Sequence, residues 1–225
     1  MRRDNIVFAR ISISAAIVSL LLMTLLHALK TDLEPAGHML SEYAIGEYGW
    51  VMQLSFDLWA LSCYALGVSI RSQVVTRSGR VGVMLLYVAG CALILGAVFV
   101  IDSPYATPVT PTAHGSLHGL SAMIGLPGQA IAGLLISYSL RLNPGWNNEW
   151  KLVTWFAHFT WLSLVMMIAS TFIMMSWNQG GFSDVTSIGW FNRLAVLIYC
   201  AWLVLTASAV VRIFMRKESY SRVKI

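Results

Sequence analysis

Histidines and carboxylates in this sequence recur at spacings that suit a metal site. His114 and His118 are four residues apart, which places both imidazoles on one face of a helix. Asp102 precedes them by one short connection, so we expect two imidazoles and a carboxylate to meet there. Such a donor set suits zinc or another divalent cation. The alternative is a hydrogen-bonded polar cluster that only caps a helix bundle.

A second pair, His38 and Glu42, has the same spacing of four residues and follows Pro35. His38 is a candidate fourth metal ligand, and Glu42 is a candidate catalytic general base. The sequence therefore predicts that this connection contributes side chains to the same site.

Asp57 lies inside an apolar stretch, where a carboxylate costs at least about 2.5 kcal/mol on insertion scales. We expect it to face the interior of the bundle and to move protons as a catalytic group. The alternative is a structural aspartate that is protonated or paired, and Arg193 is then its candidate partner. Gln129 follows Pro127 and Gly128 in another apolar stretch, where a helix kink needs protein or a wet cavity around it. Together these groups predict a polar cavity that opens outward.

The elements that must position these residues follow from composition. Hydrophobic residues make up 57% of the 225 residues and charged residues only 11%, which excludes an ordinary soluble domain. Six apolar stretches are long enough to cross a bilayer. The sequence thus predicts an all-α polytopic membrane protein, a single domain over 1–225 with helices at about 11–29, 50–70, 81–101, 117–140, 153–175 and 191–214. Thr110 and Pro111 form a plausible start signal for the fourth helix.

The charges sort by connection. Thirteen of the 15 Lys and Arg residues fall on the side of the two termini, whereas six of the ten acidic residues fall on the other side. The positive-inside rule then makes both termini cytoplasmic. The net charge of +5 is therefore a sign of topology, so we expect a lipid bilayer as partner and no nucleic acid.

Short motifs resemble a known family. They are residues 40–43 (Leu-Ser-Glu-Tyr) with Gly46, Gly49 and Trp50, the segment 99–102, and residues 115–119 (Gly-Ser-Leu-His-Gly). They resemble the prokaryotic membrane family DUF998, a domain of unknown function. The resemblance implies a six-helix protein of the prokaryotic cell (inner) membrane, brings no activity, and marks as matching positions Ser41, Glu42, Tyr43, Asp102 and His118.

Three functions are compatible with these residues. The first is a metal-dependent membrane hydrolase or transferase that acts on a lipid or amphiphile, with zinc as the candidate cofactor. Its ligand types are similar to those of alkaline ceramidases and adiponectin-type receptors, an analogy of chemistry alone. The second is a non-catalytic accessory, ligand-binding or small-solute membrane protein. The third is a b-type haem protein with two axial histidines.

Overall fold

The computed structural model describes residues 2–103, 111–177 and 187–223 of the chain. Within these ranges it contains no strand, two short 3₁₀ helices at Leu40–Ala44 and Pro144–Trp146, and six long helices. Every long helix contains a span that is long and apolar enough to cross a membrane. The prediction of an all-α chain with six spanning helices is therefore confirmed. The helices are α1 (Arg2–Leu29), α2 (Gly49–Ile70), α3 (Arg77–Val98), α4 (Ala113–Arg141), α5 (Trp150–Trp177) and α6 (Ile188–Val223).

Helix ends differ from the predicted ones where polar residues continue a helix beyond its apolar part. Helix α1 begins at Arg2 and α6 continues to Val223, whereas hydropathy predicted 11–29 and 191–214. Helix α4 begins at Ala113 because Thr112 caps it, its hydroxyl oxygen accepting a hydrogen bond from the Gly115 N–H at 3.0 Å. The predicted start signal at Thr110 lies outside the described residues.

The six helices form a ring in chain order. Each packs on its chain neighbour, α6 closes the ring against α1, and α2 also touches α6 across the centre. An even number of crossings puts both termini at one end. We call it the termini end, and the opposite end, which carries residues 30–48, is called the distal end.

Serine side chains fix the α1–α2 pair. The hydroxyls of Ser12 and Ser62 lie 3.0 Å apart, and Ser19 donates to the carbonyl of Ser55 at 2.8 Å. Small polar residues allow close backbone approach in a membrane and add interhelical hydrogen bonds. The face of α2 that carries Ser55 and Ser62 is therefore packed inside the bundle, which decides which face of α2 points outward.

The termini end is held by two ion pairs that share one glutamate. Glu149 is buried and accepts hydrogen bonds from Arg212 at 2.6 Å and from Arg216 at 3.0 Å. The hydrogen bond from Arg212 and the charges of both arginines hold the pKa of the Glu149 carboxyl below its usual range. Two buried atoms among the described residues lack a hydrogen-bond partner, Trp146 Nε1 and Thr154 Oγ1, and both belong to this end.

Candidate functional site: a cavity under the distal segment

Residues 30–48 fold over the distal end and are fixed to α6. The backbone N–H of Gly189 donates to the Ala36 carbonyl at 2.8 Å, and the Leu40 N–H donates to Asn192 Oδ1 at 2.9 Å. A Cβ at position 189 would overlap the carbonyl oxygen of Pro35, so this approach requires glycine. The segment is therefore a built part of the bundle and positions its side chains firmly.

Arg193 is the centre of the polar groups at this end. Its guanidinium donates to His27 Nε2 at 2.9 Å, to the Tyr43 hydroxyl at 3.1 Å and to the His38 carbonyl at 2.7 Å. A further bond to the Gly189 carbonyl at 3.0 Å completes four contacts from one side chain. The predicted pairing of Arg193 with Asp57 is therefore wrong, because α6 turns this arginine toward α1 and residues 30–48.

The partners of His27 fix its protonation state. Its Nδ1 lies 2.9 Å from the carbonyl oxygen of Met23, which can only accept, so Nδ1 carries the proton. Arginine can only donate, so Nε2 must be the unprotonated nitrogen that accepts from Arg193. His27 is thus neutral, and both of its ring nitrogens are occupied.

Glu42 is buried and both of its oxygens are engaged. One accepts the Met39 backbone N–H at 2.8 Å, which caps the 3₁₀ helix, and the other accepts from His38 Nδ1 at 2.6 Å. The tie between His38 and Glu42 agrees with their predicted proximity. Its geometry is that of a structural acceptor, while a catalytic role for Glu42 stays a prediction.

Two further groups complete this polar layer. Tyr43 donates its hydroxyl proton to the Leu33 carbonyl at 3.1 Å, and burial raises the pKa of Tyr43 so that it stays a neutral donor. Lys30 is buried and donates to the carbonyls of Tyr43 and Ile45, at the C-terminal end of the 3₁₀ helix. A cation at the carboxyl end of a helical turn is electrostatically favourable.

Asp102 acts as a second cap of α4. Its carboxylate accepts the Thr112 N–H at 2.8 Å and the Thr112 hydroxyl at 2.6 Å. These two hydrogen bonds hold the pKa of Asp102 below its usual range. A Cβ at Gly115 would overlap the carboxylate, which gives the motif of residues 115–119 its first glycine.

His118 lies one helical turn deeper and is buried. Its Nδ1 lies 2.8 Å from the Phe99 carbonyl and 3.1 Å from the Gly96 carbonyl, so this nitrogen carries the proton and donates to the exposed end of α3. His114, in contrast, is exposed and meets Phe99 edge to face with ring centroids 5.3 Å apart. The two histidines share a helix face, but only His118 enters the bundle.

A cavity of about 210 Å³ lies beside His118 in the distal half of the bundle. Its walls come from α2 to α6 and from residues 39–41, and most of the lining side chains are apolar. The polar residues in the wall are Ser41, His118, Ser121, Gln129, Thr171 and Asn192.

Most of these polar residues are committed to the protein itself. Ser121 donates to the His118 carbonyl at 2.7 Å, and Thr171 donates to the Met167 carbonyl at 2.9 Å. Asn192 accepts from Leu40 and faces the Met167 sulfur at 3.5 Å. These side chains shape the cavity, but their hydrogen bonds go to the protein and not to a ligand.

Gln129 is held between three helices. Its Oε1 accepts the Trp59 indole N–H at 3.0 Å, and its amide nitrogen donates to the Tyr199 carbonyl at 3.4 Å. The side chain is fully buried and forms the floor of the cavity. Gln129 therefore lies in the wall of this cavity.

Two polar atoms in the wall are left for a ligand. Within the described part of the chain, neither His118 Nε2 nor the Ser41 hydroxyl has a hydrogen-bond partner. In the neutral form of His118 with its proton on Nδ1, Nε2 offers a lone pair to a donor. The cavity is thus apolar with an acceptor in its wall, a common design for small-molecule sites.

The predicted metal site is not assembled. Across residues 2–103, 111–177 and 187–223, no group of three His, Cys, Asp or Glu side chains could hold a metal ion. Asp102 is bound to Thr112, His114 points to the surface, and His118 turns to the α3 carbonyls, so the three ligands diverge. His38 is likewise bound to Glu42, and among the described lining residues His118 is the one histidine, which provides no axial pair for a haem.

Asp57 corrects another expectation. It is exposed on the outer face of α2, opposite the face that packs through Ser55 and Ser62, and it does not belong to the cavity wall. The stripe of serines was the available signal, because small residues mark the packed face of a membrane helix. The expectation that Asp57 faces the bundle interior is therefore wrong.

Three further residues of the distal end were not predicted from the sequence. Lys30, Asn192 and Trp59 have no motif around them, and their roles arise from contacts between segments that are distant in sequence. Lys30 alone carried a sequence signal, because a lysine directly after a membrane helix needs polar partners.

Comparison with known proteins gives one match. The sequence model of a family described as "Protein of unknown function (DUF998)" matches residues 13–209 of the chain, a range that includes parts of all six helices. No curated protein and no solved structure matches the chain.

Proposed function

The chain belongs to the DUF998 family, as its motifs predicted, and since that membership brings no activity, we propose a function from the site: the protein binds a small amphiphile in the distal cavity. The observation that carries the proposal is the pairing of an apolar cavity with one imidazole nitrogen, His118 Nε2, that no described residue uses. The ligand has an apolar body and a hydroxyl or N–H group that donates to this nitrogen.

The cavity volume sets the size of the ligand. An apolar protein cavity of about 150 Å³ holds benzene, so about 210 Å³ accommodates a body of about eight non-hydrogen atoms. A single substituted ring or a short chain meets this limit. A whole phospholipid exceeds it, although one end of a larger amphiphile also fits.

The state of the carboxylates argues against a general-base role for Glu42, Asp57 or Asp102 in the cavity. Glu42 and Asp102 are each saturated by hydrogen bonds, and Asp57 points away from the cavity. A general base must reach the proton that it removes. None of the three meets this requirement at the cavity wall, whereas a binding role needs only His118 and the apolar walls.

A matched pair of probes tests the site. 4-Fluorophenol and 4-fluorotoluene have nearly equal size, but only the phenol donates a hydrogen bond. Fluorine NMR of purified protein in nanodiscs, with empty nanodiscs to subtract partition into lipid, should show saturable binding of the phenol. One hydrogen bond predicts about tenfold weaker binding of the toluene.

Variants locate the binding. His118→Leu should weaken binding of 4-fluorophenol about tenfold, whereas the exposed His114→Leu, one turn away, should leave it unchanged. Gly119→Leu should also weaken binding, because Gly119 borders the cavity and has nothing within 4 Å of a Cβ position. No saturable phenol binding, or equal binding by His118→Leu, contradicts the proposal.

The orientation in the membrane is part of the proposal. Thirteen of the 15 basic residues lie toward the termini end, which the positive-inside rule places in the cytoplasm of a prokaryotic cell. In a Cys91→Ser background, an impermeant maleimide should label Glu47→Cys in intact cells and Ser72→Cys only after permeabilisation. The reverse pattern overturns the orientation and leaves the binding proposal standing.

A further inference from the structure

The outer face of α2 carries a regular stripe. Trp50, Leu54, Asp57 and Leu61 are exposed at intervals of four, three and four residues, which is the spacing of a helix–helix seam. In a membrane span the stripe is a lipid-facing surface with one carboxyl group inside it.

Asp57 is deep in the span. It lies eight residues from the start of α2 at Gly49, about 12 Å along a helix of 22 residues that is itself about 33 Å long. The α1–α2 hydrogen bonds between Ser12 and Ser62 and from Ser19 to Ser55 place Asp57 level with Ile17, in the middle of α1. The carboxyl group is therefore too deep to reach an interface with its short side chain.

No described group of this chain forms a hydrogen bond or an ion pair with that carboxyl. Within the described ranges Asp57 has no hydrogen bond and no ion pair, and its neighbours on the stripe are leucines. Intramembrane carboxyl groups almost always face protein or water and pair with a polar group. The missing partner must therefore come from outside the chain.

We propose that the α2 stripe is the interface of a homodimer, in which Asp57 hydrogen-bonds to Asp57 of a second copy. Copies that share one orientation in a membrane are related by an axis along its normal, so each residue meets its equivalent at the same depth. A carboxylic acid donates its proton to the facing carboxylate or carboxylic acid, which makes Asp57 complementary to itself. A basic residue of a different protein could also pair with Asp57, but only if it lay at the same depth in the membrane by coincidence.

The surroundings of the stripe suit a helix contact. Leu54 and Leu61 flank Asp57 and pair with their equivalents, as apolar seam residues do around a single polar position. Next to Leu61, a groove of about 430 Å³ opens between α1 and α2, and its lining is mostly apolar but includes Ser14 and Arg10. It provides room for side chains of the facing helix.

Cysteine cross-linking in native membranes tests the dimer. In a Cys91→Ser background, Leu54→Cys and Leu61→Cys should each form a disulfide-linked dimer with a membrane-permeable oxidant. Leu197→Cys on α6, which is more exposed than either leucine, is the control and should not form a cross-linked dimer. All these positions face outward, so the substitutions leave the fold intact.

Substitution of Asp57 separates a hydrogen-bonded pair from chance encounters. Asp57→Leu should reduce cross-linking of Leu61→Cys about fivefold, whereas Asp57→Asn should largely retain it because amides also pair. Unchanged cross-linking with Asp57→Leu, or equal cross-linking at Leu197→Cys, overturns the proposal. Recovery of a different membrane protein cross-linked at Leu61→Cys in place of the dimer overturns it as well. Binding of 4-fluorophenol should be normal in Asp57→Leu, so this outcome is independent of the cavity.

Discussion

Arg193 at the distal end and Arg212 at the termini end bind very different surroundings. Arg193 donates to a neutral histidine, a phenol and two carbonyls, and among the described residues it forms no ion pair with a carboxylate. Arg212 forms a direct ion pair with Glu149, and its side chain is 44% exposed. The polar groups of the distal end thus hold residues 30–48 in place, while the charges of the termini end serve as anchors at the membrane surface.

The two ends also differ in how completely their buried polar groups are hydrogen-bonded. At the distal end the described buried side chains are bonded, except for the atoms that face the cavity. At the termini end Trp146 Nε1 and Thr154 Oγ1 are left without a partner, and neither residue lines the cavity beside His118. Precise polar positioning is therefore concentrated where the ligand site is, which supports reading the distal end as the functional one.

The largest effect is expected for Arg193→Met. Loss of four hydrogen bonds leaves His27 Nε2, Tyr43 and two carbonyls with one partner fewer, so the free energy of unfolding should fall by about 3 kcal/mol or more. Arg212→Met, which removes a partly exposed ion pair, should cost about 1 kcal/mol. Denaturant unfolding in detergent measures both, and equal losses would erase the distinction between the two ends.

Gly115→Ala should have the next largest effect. The added Cβ displaces the Asp102 carboxylate from Thr112, so the free energy of unfolding should fall, although by less than in Arg193→Met. Gly119→Ala, four residues along the same helix, meets nothing and should be neutral or slightly stabilising. In an Asp102→Ala background, Gly115→Ala should lower the free energy of unfolding little further, because the hydrogen bonds between Asp102 and Thr112 are already lost. Full additivity would show that Asp102 does not cap α4.

Glu149→Gln tests the termini end through its pH dependence. The pKa of Glu149 is depressed in the folded protein, so the carboxylate stabilises the fold above its ordinary pKa of about 4.3. That contribution should be lost as pH falls through the lower, folded pKa. Wild type should exceed the variant by about 1 kcal/mol at neutral pH and converge with it in acid. A difference that grows on acidification would contradict the ion pair.

Thr154→Val should have the smallest effect and the opposite sign. Its hydroxyl is buried without a partner, so an isosteric methyl should stabilise the protein by up to about 1 kcal/mol. Thr206→Val is the control, since the Thr206 hydroxyl donates to the Trp202 carbonyl at 2.7 Å and its loss should destabilise slightly. If both variants change the melting temperature in the same direction, the Thr154 hydroxyl is not unsatisfied.

The fold was predictable because a bilayer imposes a length and a composition on each span. Six apolar stretches became six helices, and errors remained only at ends such as Ala113, where the cap at Thr112 decided the start. The direction in which a side chain leaves a helix was harder. Asp57 was assigned to the interior from the cost of its charge alone, whereas the packed face is set by Ser55 and Ser62.

The site was predictable only in part. His118 was identified by its spacing of four residues from His114, and Gln129 by its place after Pro127 and Gly128, and both residues line the cavity. The metal set failed because spacing along α4 fixes a shared face for His114 and His118 but not the carbonyls of α3 to which His118 turns. Contacts between residues far apart in sequence, such as Arg193 with His27, leave no local pattern.

The most direct test of the ligand site observes His118 itself. Nitrogen NMR of protein with labelled histidine should show one unprotonated Nε2 resonance that shifts on titration with 4-fluorophenol and disappears in His118→Gln. The resonance of His27 Nε2, already bound by Arg193, should stay in place. If no histidine resonance shifts while the phenol binds, or if the shifting resonance persists in His118→Gln, the cavity beside His118 is not the binding site.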